Sequence, residues 1–492
     1  MGRLSSLTDP LGRQTTLARD TRGRVETVTY PDATTQTLTY DGAGNLTRRQ
    51  YTDGVDLTYT YDELNRLTNS NGLAFGYDKE GRITRTTNET ARRGVQPDIP
   101  NTVFYDATYD AAGRLKTASY NGGATVVTYT YDANSGLLTN VTDSLSSASV
   151  SFIYDNDFRL TGITRSNGIN MNWTLDNAGQ PTRIQDGTVL DLQYTFDAAG
   201  RIASANISAP LTPEVGLTAG SVANTYDAAS QSAESTYDAR GRRTVDGNRS
   251  YSWDDADRLT ALSGGTTLTY SGLGDVIERT ANAQTSSFHY HYAVDGKPLV
   301  AEEQNSTIDK FYVYTPGGRL LYLIDVANGN QARFYHFDYA GNTLALSDSG
   351  GVVTDAYAYT PFGREVGRSG STEQPFTFGG AFGVRREAQN LYQMRVRYYD
   401  AESGQFISRE PIWPQIETPQ ALNPYQYALN DPIGLVDPFG LSAESAMSPS
   451  IGGTVQSQSI DWVLAIRISL IALVAIAWLA YLRQRSIAPL DA

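Results

Sequence analysis

The fold is decided by a repeating stretch whose clearest example is YDAAGRLKTASYNGGATVVTYTYDANSGLL, residues 109–138. In each unit an aromatic residue and an Asp precede two variable residues, a Gly or polar residue, often an Arg, and an aliphatic residue. Similar units start at Tyr40, Tyr61, Tyr77, Tyr154, Leu175, Phe196, Tyr237 and Trp253. Most successive units start 16 to 23 residues apart. Self-similarity at this period predicts a repeat architecture.

The chemistry of the unit predicts a turn between two strands. Asp at the first position and Gly at the fourth are the preferences of a type I turn. The Asp side chain can accept a local backbone N–H, and Gly tolerates a positive φ where the chain enters the next strand. The flanking residues alternate as in strands, for example at 125–131. One such step cannot bury its own apolar face, so neighbouring steps must stack or wind.

Composition favours the same fold class and excludes several functions. The 492 residues include 32 Tyr and 45 Gly, which favours β-structure with many tight turns. The net charge of −14 argues against nucleic-acid binding, which needs a basic face. The absence of Cys excludes disulfides and thiolate metal sites. His289 and His291 share a strand face, but no convergent carboxylate or third His supports a metal site, so we expect neither metal nor cofactor.

A second block of motifs follows the repeats. From about residue 286 the strict turn period gives way to longer motifs, of which the most specific is RVRYYDAESGQFISREP at 395–411, ending in VDPFGL at 436–441. Together with the repeats, this block resembles bacterial Rhs proteins, the C components of ABC toxin complexes and the teneurin shell. The resemblance covers roughly residues 1–441.

The resemblance implies a fold that is mainly β, a YD-repeat sheet that spirals and closes as a hollow cocoon. We assign YD repeats to residues 1–285 and the Rhs repeat-associated core, which plugs one end of the cocoon, to 286–441. Because the chain starts within a repeat, we expect a partial or open shell, completed by an upstream chain or partner.

The resemblance also implies a self-processing site. In many relatives the core is similar to an aspartic peptidase that cuts its own chain after the Leu of DPxGL, using an Arg and two Asp. The matching residues are Arg397, Asp437 and Glu410, where Glu410 replaces the usual Asp of SRDP. The predicted cut separates Leu441 from Ser442.

The replacement by Glu leaves two interpretations of this site. Such chemistry needs two carboxylates, one ionised to activate water and one protonated to serve the leaving group. Glu410 keeps the acid but lengthens the arm by roughly 1.5 Å, and misplacement on the order of 1 Å can cost about a hundredfold in rate. The three residues therefore form either a self-cleavage site or a structural ion-pair network that seals the plug.

The C-terminal tail changes character after Leu441. Residues 442–460 are rich in Ser, Gly and Gln and predict a flexible linker. A transmembrane helix is predicted at 461–482, where the apolar run WVLAIRISLIALVAIAWLAYL (462–482) covers about 30 Å as a helix. Eleven Leu, Ile and Val contribute roughly −3 to −6 kcal/mol to insertion. Arg467 opposes insertion by up to about 3 kcal/mol, less because it lies near one end.

The flanks of this run set its predicted orientation. Trp462, Trp478 and Tyr481 fit interface anchoring. Positions 442–461 contain no Lys or Arg, whereas Arg483 and Arg485 follow the run. The positive-inside rule then predicts a single-pass protein with its shell outside and a short cytoplasmic tail at 483–492.

Three functions are considered. The first is a structural cell-surface shell, tethered to a membrane through 462–482 and acting in contact with a surface partner. The second is a toxin-delivery shell, secreted or delivered, whose apolar C-terminal segment is encapsulated, membrane-active cargo released by self-cleavage after Leu441. The third, an enzyme acting on other molecules, is discounted because no nucleophile–base pair, phosphate loop or metal set is apparent.

Overall fold

A computed structural model describes residues 4–88, 103–121, 123–211, 225–247, 249–411, 422–441 and 443–445. The predicted fold class, mainly β, is confirmed, because antiparallel sheets dominate these residues. Short 3-10 turns are described at Gly380–Phe382 and Ala428–Asn430. In the described part of the chain no helix is long and apolar enough to cross a membrane. The predicted linker, transmembrane helix and cytoplasmic tail lie outside the described residues, apart from 443–445.

Among the described residues, four antiparallel sheets are built from strands that pair with their neighbours in sequence. The first sheet contains β1 Ser6–Thr8, β2 Gln14–Arg19, β3 Val25–Thr29, β4 Thr35–Tyr40, β5 Leu46–Tyr51, β6 Asp56–Tyr61, β7 Leu67–Ser70, β8 Leu73–Tyr77, β9 Ile83–Asn88, β10 Val103–Tyr109, β11 Leu115–Tyr120, β12 Thr125–Tyr131, β13 Leu138–Asp143, β14 Ser149–Tyr154, β15 Leu160–Arg165, β16 Met171–Leu175, β17 Pro181–Asp186, β18 Leu190–Phe196 and β19 Ile202–Ser208. The second sheet contains β20 Ser235–Tyr237, β21 Arg243–Asp246, β22 Arg249–Trp253, β23 Leu259–Leu262, β24 Thr266–Tyr270, β25 Val276–Ala281, β26 Gln284–Tyr290, β27 Leu299–Gln304, β28 Thr307–Tyr314, β29 Leu320–Asp325, β30 Gln331–Phe337, β31 Thr343–Ser347, β32 Val353–Tyr359 and β33 Glu365–Ser369. The third sheet contains β34 Arg385–Ala388, β35 Leu391–Met394, β36 Arg397–Asp400 and β37 Gln405–Phe406, and the fourth contains β38 Leu435–Val436 and β39 Glu444–Ser445.

The repeat unit closes its turn through the Asp side chain. In the turn between β10 and β11, Asp110 Oδ1 accepts the N–H groups of Ala112 and Arg114 at 3.0 and 2.9 Å. The Arg114 guanidinium donates to Asp110 Oδ2 at 2.7 Å, and Gly113 has φ 82°. Burial raises the pKa of the Asp110 carboxyl, but the hydrogen bonds from Arg114 outweigh it and hold that pKa below its usual value. The predicted roles of Asp and Gly therefore appear in the structure, with an ion pair added to them.

The Tyr and Arg of the unit connect successive turns on the same edge of the sheet. Tyr131 donates its hydroxyl hydrogen to the Leu115 carbonyl at 2.8 Å, and Arg114 stacks on the Tyr131 ring at 4.3 Å. The same hydroxyl–carbonyl bond joins Tyr40 to Val25, Tyr61 to Leu46, Tyr77 to Leu67, Tyr109 to Ile83 and Tyr154 to Leu138. Each unit therefore stabilises the one before it, as a winding repeat requires.

The second sheet lies between the first sheet and the third. Every residue of β29 and β31 is buried, so both faces of these strands are covered. On one face the Tyr322 hydroxyl donates to Asp143 of β13 at 2.9 Å. On the other, the Tyr312 ring packs edge-on against Phe376 at 4.8 Å. Strands covered on both faces lose the alternation of burial, which β27 still shows and β29 and β31 do not.

A buried ion cluster joins the first and second sheets. Asp186 of β17 accepts from both terminal nitrogens of Arg165 at 2.6 and 3.1 Å, and from Nδ1 of His336 of β30 at 2.7 Å. Ser347 of β31 donates to Nε2 of the same imidazole at 2.8 Å. Burial opposes ionisation of Asp186, but Arg165 and His336 outweigh it and lower its pKa to about 2. Burial lowers the pKa of His336, so its imidazole is neutral and donates to the carboxylate.

Candidate self-processing site at the C-terminal boundary

Arg397 is the centre of the site. It begins β36 directly after a tight turn in which Arg395 has φ 52°. Its side chain is 2% exposed, and its guanidinium carbon lies 3.5 Å from the centre of the Phe406 ring. Stacking on an aromatic face fixes the plane of a guanidinium and strengthens when the pair is desolvated. Phe406 therefore sets the direction in which Arg397 presents its donors.

The structure brings all three predicted site residues together. Glu410 Oε2 and Asp437 Oδ2 lie 2.7 and 3.1 Å from the same terminal nitrogen of Arg397. The two carboxylates are 10% and 3% exposed. The longer arm of Glu410 thus still reaches the guanidinium that Asp437 contacts. Two acids therefore share one buried cation.

The same guanidinium holds the residues that precede the predicted cut. Arg397 Nε donates to the Gly440 carbonyl at 2.6 Å, and Nη1 donates to the Pro424 carbonyl at 3.2 Å. The Leu441 N–H donates to Asp437 Oδ1 at 2.8 Å. The chain up to Leu441 is therefore bonded to Arg397 and Asp437, two of the three residues that the predicted cleavage needs.

Gly440 permits this close approach. Its φ is 66°, and a Cβ atom there would stand 2.6 Å from the Met394 carbonyl oxygen and 3.2 Å from Arg397 Cβ. Val396 of the same hairpin donates its N–H to the Phe439 carbonyl at 3.3 Å. A side chain at position 440 would move the chain away from the guanidinium, so the Gly of DPFGL has a steric role that the sequence interpretation did not assign.

DPxGL occurs twice in the chain, and the structure separates the two copies. Asp437 of DPFGL (437–441) binds Arg397, whereas Asp431 of DPIGL (431–435) is exposed and accepts the N–H of Gly434 in its own turn at 3.1 Å. The second motif is therefore the one placed at the acid pair. The sequence prediction named Asp437, and this is the copy that contacts Arg397.

A second cluster, which the sequence interpretation missed, fixes the other end of β36. Arg243 of β21, whose side chain is fully buried, donates to Asp400 at 2.9 Å and to Asp246 at 2.8 Å. Ser403 also donates to Asp400, at 2.8 Å. Burial, together with the charge of Asp400, raises the pKa of Asp246. The cluster attaches the third sheet to the second and so keeps Arg397 in register; its signal in the sequence is the additional Arg of YDARGRR.

The two neighbouring histidines have protein partners. His289 Nε2 lies 3.0 Å from Glu303, and His291, just beyond the end of β26, contacts the Asp106 carbonyl at 3.3 Å. Within the described ranges no group of three or more His, Cys, Asp or Glu side chains is arranged to hold a metal ion.

Family models match two parts of the chain. The teneurin YD-shell model matches residues 193–433, and the RHS repeat model matches residues 2–35. The first match includes the second sheet, the third sheet, the Arg243 cluster, Arg397 and Glu410, and it ends before Asp437.

Curated relatives share part of the sequence. A protein of Bacillus spizizenii named tRNA3(Ser)-specific nuclease WapA is 26% identical over 265 residues, which is 52% of this chain and 11% of the relative. Double-stranded DNA deaminase toxin A of Burkholderia cenocepacia is 36% identical over 78 residues, which is 16% of this chain and 5% of the relative. The chain therefore spans about a tenth of these relatives or less.

Solved structures share the fold over most of the chain. The crystal structure of TcdB2-TccC3-TEV superposes with a TM-score of 0.67 at 15% identity, covering 87% of this chain and 27% of that one. The TcdB2-TccC3 structure without its hypervariable C-terminal region gives a TM-score of 0.66 at 15% identity, covering 89% and 28%. The repeat turns, the meandering sheets and these matches agree: the chain belongs to the Rhs/YD-repeat shell proteins.

Proposed function

We propose that the chain is the shell of a toxin-delivery protein whose passenger is the segment after Leu441. The observation that carries the proposal is the fixed position of DPFGL, whose last residues are bonded to Arg397 and Asp437. Because the chain is bonded to the core at this point, the position suits the end of a shell after which a separate passenger segment begins. The names of the curated relatives, a tRNA nuclease and a deaminase toxin, and the hypervariable C-terminal region in a structural neighbour's title support the same conclusion.

The passenger suggested by the sequence is a membrane-active peptide. The apolar run at 462–482, which follows Leu441, is long enough to enter a bilayer. Release of this segment would separate it from the acidic shell.

The arrangement of Glu410 and Asp437 supports self-cleavage as the release step. In this step one ionised carboxylate takes a proton from water, and the water oxygen bonds to the Leu441 carbonyl carbon. The other carboxylate, protonated, gives its proton to the Ser442 nitrogen as the peptide bond breaks. The products are a Leu441 carboxylate and a Ser442 amine. Arg397 is the group that keeps one acid ionised and holds the chain at Gly440.

Intact mass spectrometry of the purified full chain tests this step. Full-length protein has a mass of 53.6 kDa, and cleavage replaces it with a shell ending at Leu441 and a peptide starting at Ser442. We expect Asp437→Asn to stop cleavage and Glu410→Asp to accelerate it. Asp431→Asn is the matched control, because it alters the other DPxGL copy without touching Arg397, and it should cleave like wild type. A single uncleaved mass for wild type and Glu410→Asp alike would leave Arg397, Glu410 and Asp437 as a structural clamp.

The membrane tether is a second candidate, favoured by the apolar run itself. An anchor severed after Leu441 would hold the shell only non-covalently, so a tether predicts uncleaved protein. Uncleaved chain that resists high-salt extraction from membranes would support the tether, whereas cleaved, salt-extractable shell would support delivery.

A further inference from the structure

Loop 291–298 connects β26 to β27 and touches the C-terminal boundary. The His291 N–H donates to the Pro298 carbonyl at 3.1 Å and closes the base of the loop. At the tip, the Gly296 carbonyl accepts from the Arg395 guanidinium. A Cβ atom on Gly296 would stand 3.9 Å from the Phe439 ring. The loop therefore packs against both the hairpin before Arg397 and the DPFGL motif that this hairpin holds.

The side chain of His291 holds the loop to the first sheet. Its Nδ1 accepts the N–H of Ala293 within the loop at 3.3 Å, and its Nε2 donates to the Asp106 carbonyl of β10 at 3.3 Å. One ring nitrogen accepts and the other donates, so this geometry requires the neutral imidazole. A proton on Nδ1 would turn the acceptor into a donor that faces another N–H.

No carboxylate in the described surroundings bonds to this imidazole to compensate such a charge. His291 is 3% exposed, and the edge of the Tyr105 ring lies against it at 5.8 Å between centroids. The titratable and charged groups on the surrounding elements are Asp106 paired with Arg85, Tyr105, His289 paired with Glu303, Tyr292 bonded to Asp275, and Asp295 and Lys297 of the loop. Burial lowers the pKa of His291 to about 4, although the Asp106 carbonyl opposes this.

We infer that His291 is a proton-operated latch, and that its protonation releases loop 291–298 from the first sheet and loosens the DPFGL segment packed against the loop tip. The latch goes beyond the proposed function, because it operates whether or not the chain is cut after Leu441. A shell with this device is closed at neutral pH and loosens at its C-terminal boundary in an acidic compartment.

Hydrogen–deuterium exchange of the full chain tests the latch. Rates are measured between pH 7 and 4.5 and corrected for the intrinsic pH dependence of exchange. Because the imidazole has a pKa near 4 when the loop is closed and about 6.5 when exposed, closing should weaken on the order of fifty- to a hundredfold at pH 4.5. We expect faster corrected exchange in peptides covering 291–298 and 436–441, and constant exchange in β4 and β5 of the first sheet.

Two variants separate the latch from general acid sensitivity. In His291→Asn the amide oxygen can still accept from Ala293 but cannot titrate, so the pH response of both segments should disappear. His336→Gln removes another buried imidazole between the same sheets, and the response should persist. Equal acceleration throughout the chain, or an unchanged response in His291→Asn, would overturn the inference.

A measurement on wild type covers the case in which His291→Asn does not fold. Labelling histidine with ¹³C gives three imidazole signals, because the chain has three histidines. One should become protonated in parallel with the faster exchange of loop 291–298. Imidazole protonation without faster exchange in the loop, or faster exchange with all three imidazoles neutral, would refute the latch.

Discussion

Asp186→Asn should be among the most destabilising single changes to the shell. The carboxylate is fully buried and bonded to Arg165 and His336, and it joins the first and second sheets. The substitution removes the charge and turns two amide hydrogens towards the groups that donated to the carboxylate. Removing one partner of a buried ion pair costs about 3–5 kcal/mol, because the other charge stays buried without compensation. We therefore expect the free energy of unfolding to fall by about 3–5 kcal/mol at pH 7.

The loss of unfolding free energy caused by Asp186→Asn should become smaller as the pH falls. The pKa of Asp186 is about 2 in the folded chain and about 3.8 when unperturbed, which corresponds to about 2.5 kcal/mol of stability above pH 4. Because the folded pKa is the lower one, this stability is lost as the pH falls through 4 towards 2. The difference between wild type and Asp186→Asn should therefore be about 1 kcal/mol smaller at pH 3 than at pH 7.

Guanidinium unfolding followed by tyrosine fluorescence and far-UV circular dichroism measures these differences. Asp191→Asn is the matched control: Asp191 forms a two-bond pair with Arg183 on the same sheet at 2.8 and 2.7 Å, but the Arg183 and Asp191 side chains are 42% and 32% exposed. The fall in the free energy of unfolding should be much smaller for Asp191→Asn, because water screens a partly exposed ion pair. Equal losses for the two variants, or a loss for Asp186→Asn that grows towards pH 3, would refute the role assigned to the buried cluster.

Two further predictions concern the repeat turn and the boundary. Arg114→Ala removes both the pair with Asp110 and the stacking on Tyr131, so we expect a loss of about 1–2 kcal/mol in the unfolding free energy and faster proteolysis at that turn. Arg201→Ala, at the exposed last turn of the first sheet, is its control and should cost less. Gly440→Ala places a methyl group 2.6 Å from the Met394 carbonyl, so it should slow any cleavage after Leu441 and raise protease sensitivity at 436–441, both read by mass spectrometry; wild-type behaviour would contradict the close packing.

Residues close in sequence made the repeat predictable. The Asp, Gly and alternating strand residues of a unit such as YDAAGRL act over four or five positions, where turn chemistry is local. The role of Arg114 was missed because its partner Tyr131 belongs to the next unit. The predicted site residues Arg397, Glu410 and Asp437 came from resemblance, and their meeting at one nitrogen depends on how β36 and the boundary segment pack.

Taken by itself, the sequence determined the strand character and the turns of the repeat units, because period-two alternation and Asp–Gly turns are properties of short segments. Only the tertiary structure decided which faces meet: Asp186 pairs with His336 across 150 positions, and His291 contacts Asp106 across 185. Every strand of a repeat presents a similar apolar face, so local pattern favours no particular partner for it. Sheet packing over long sequence separations made that choice, and with it the positions of the buried charges and of the neutral histidines.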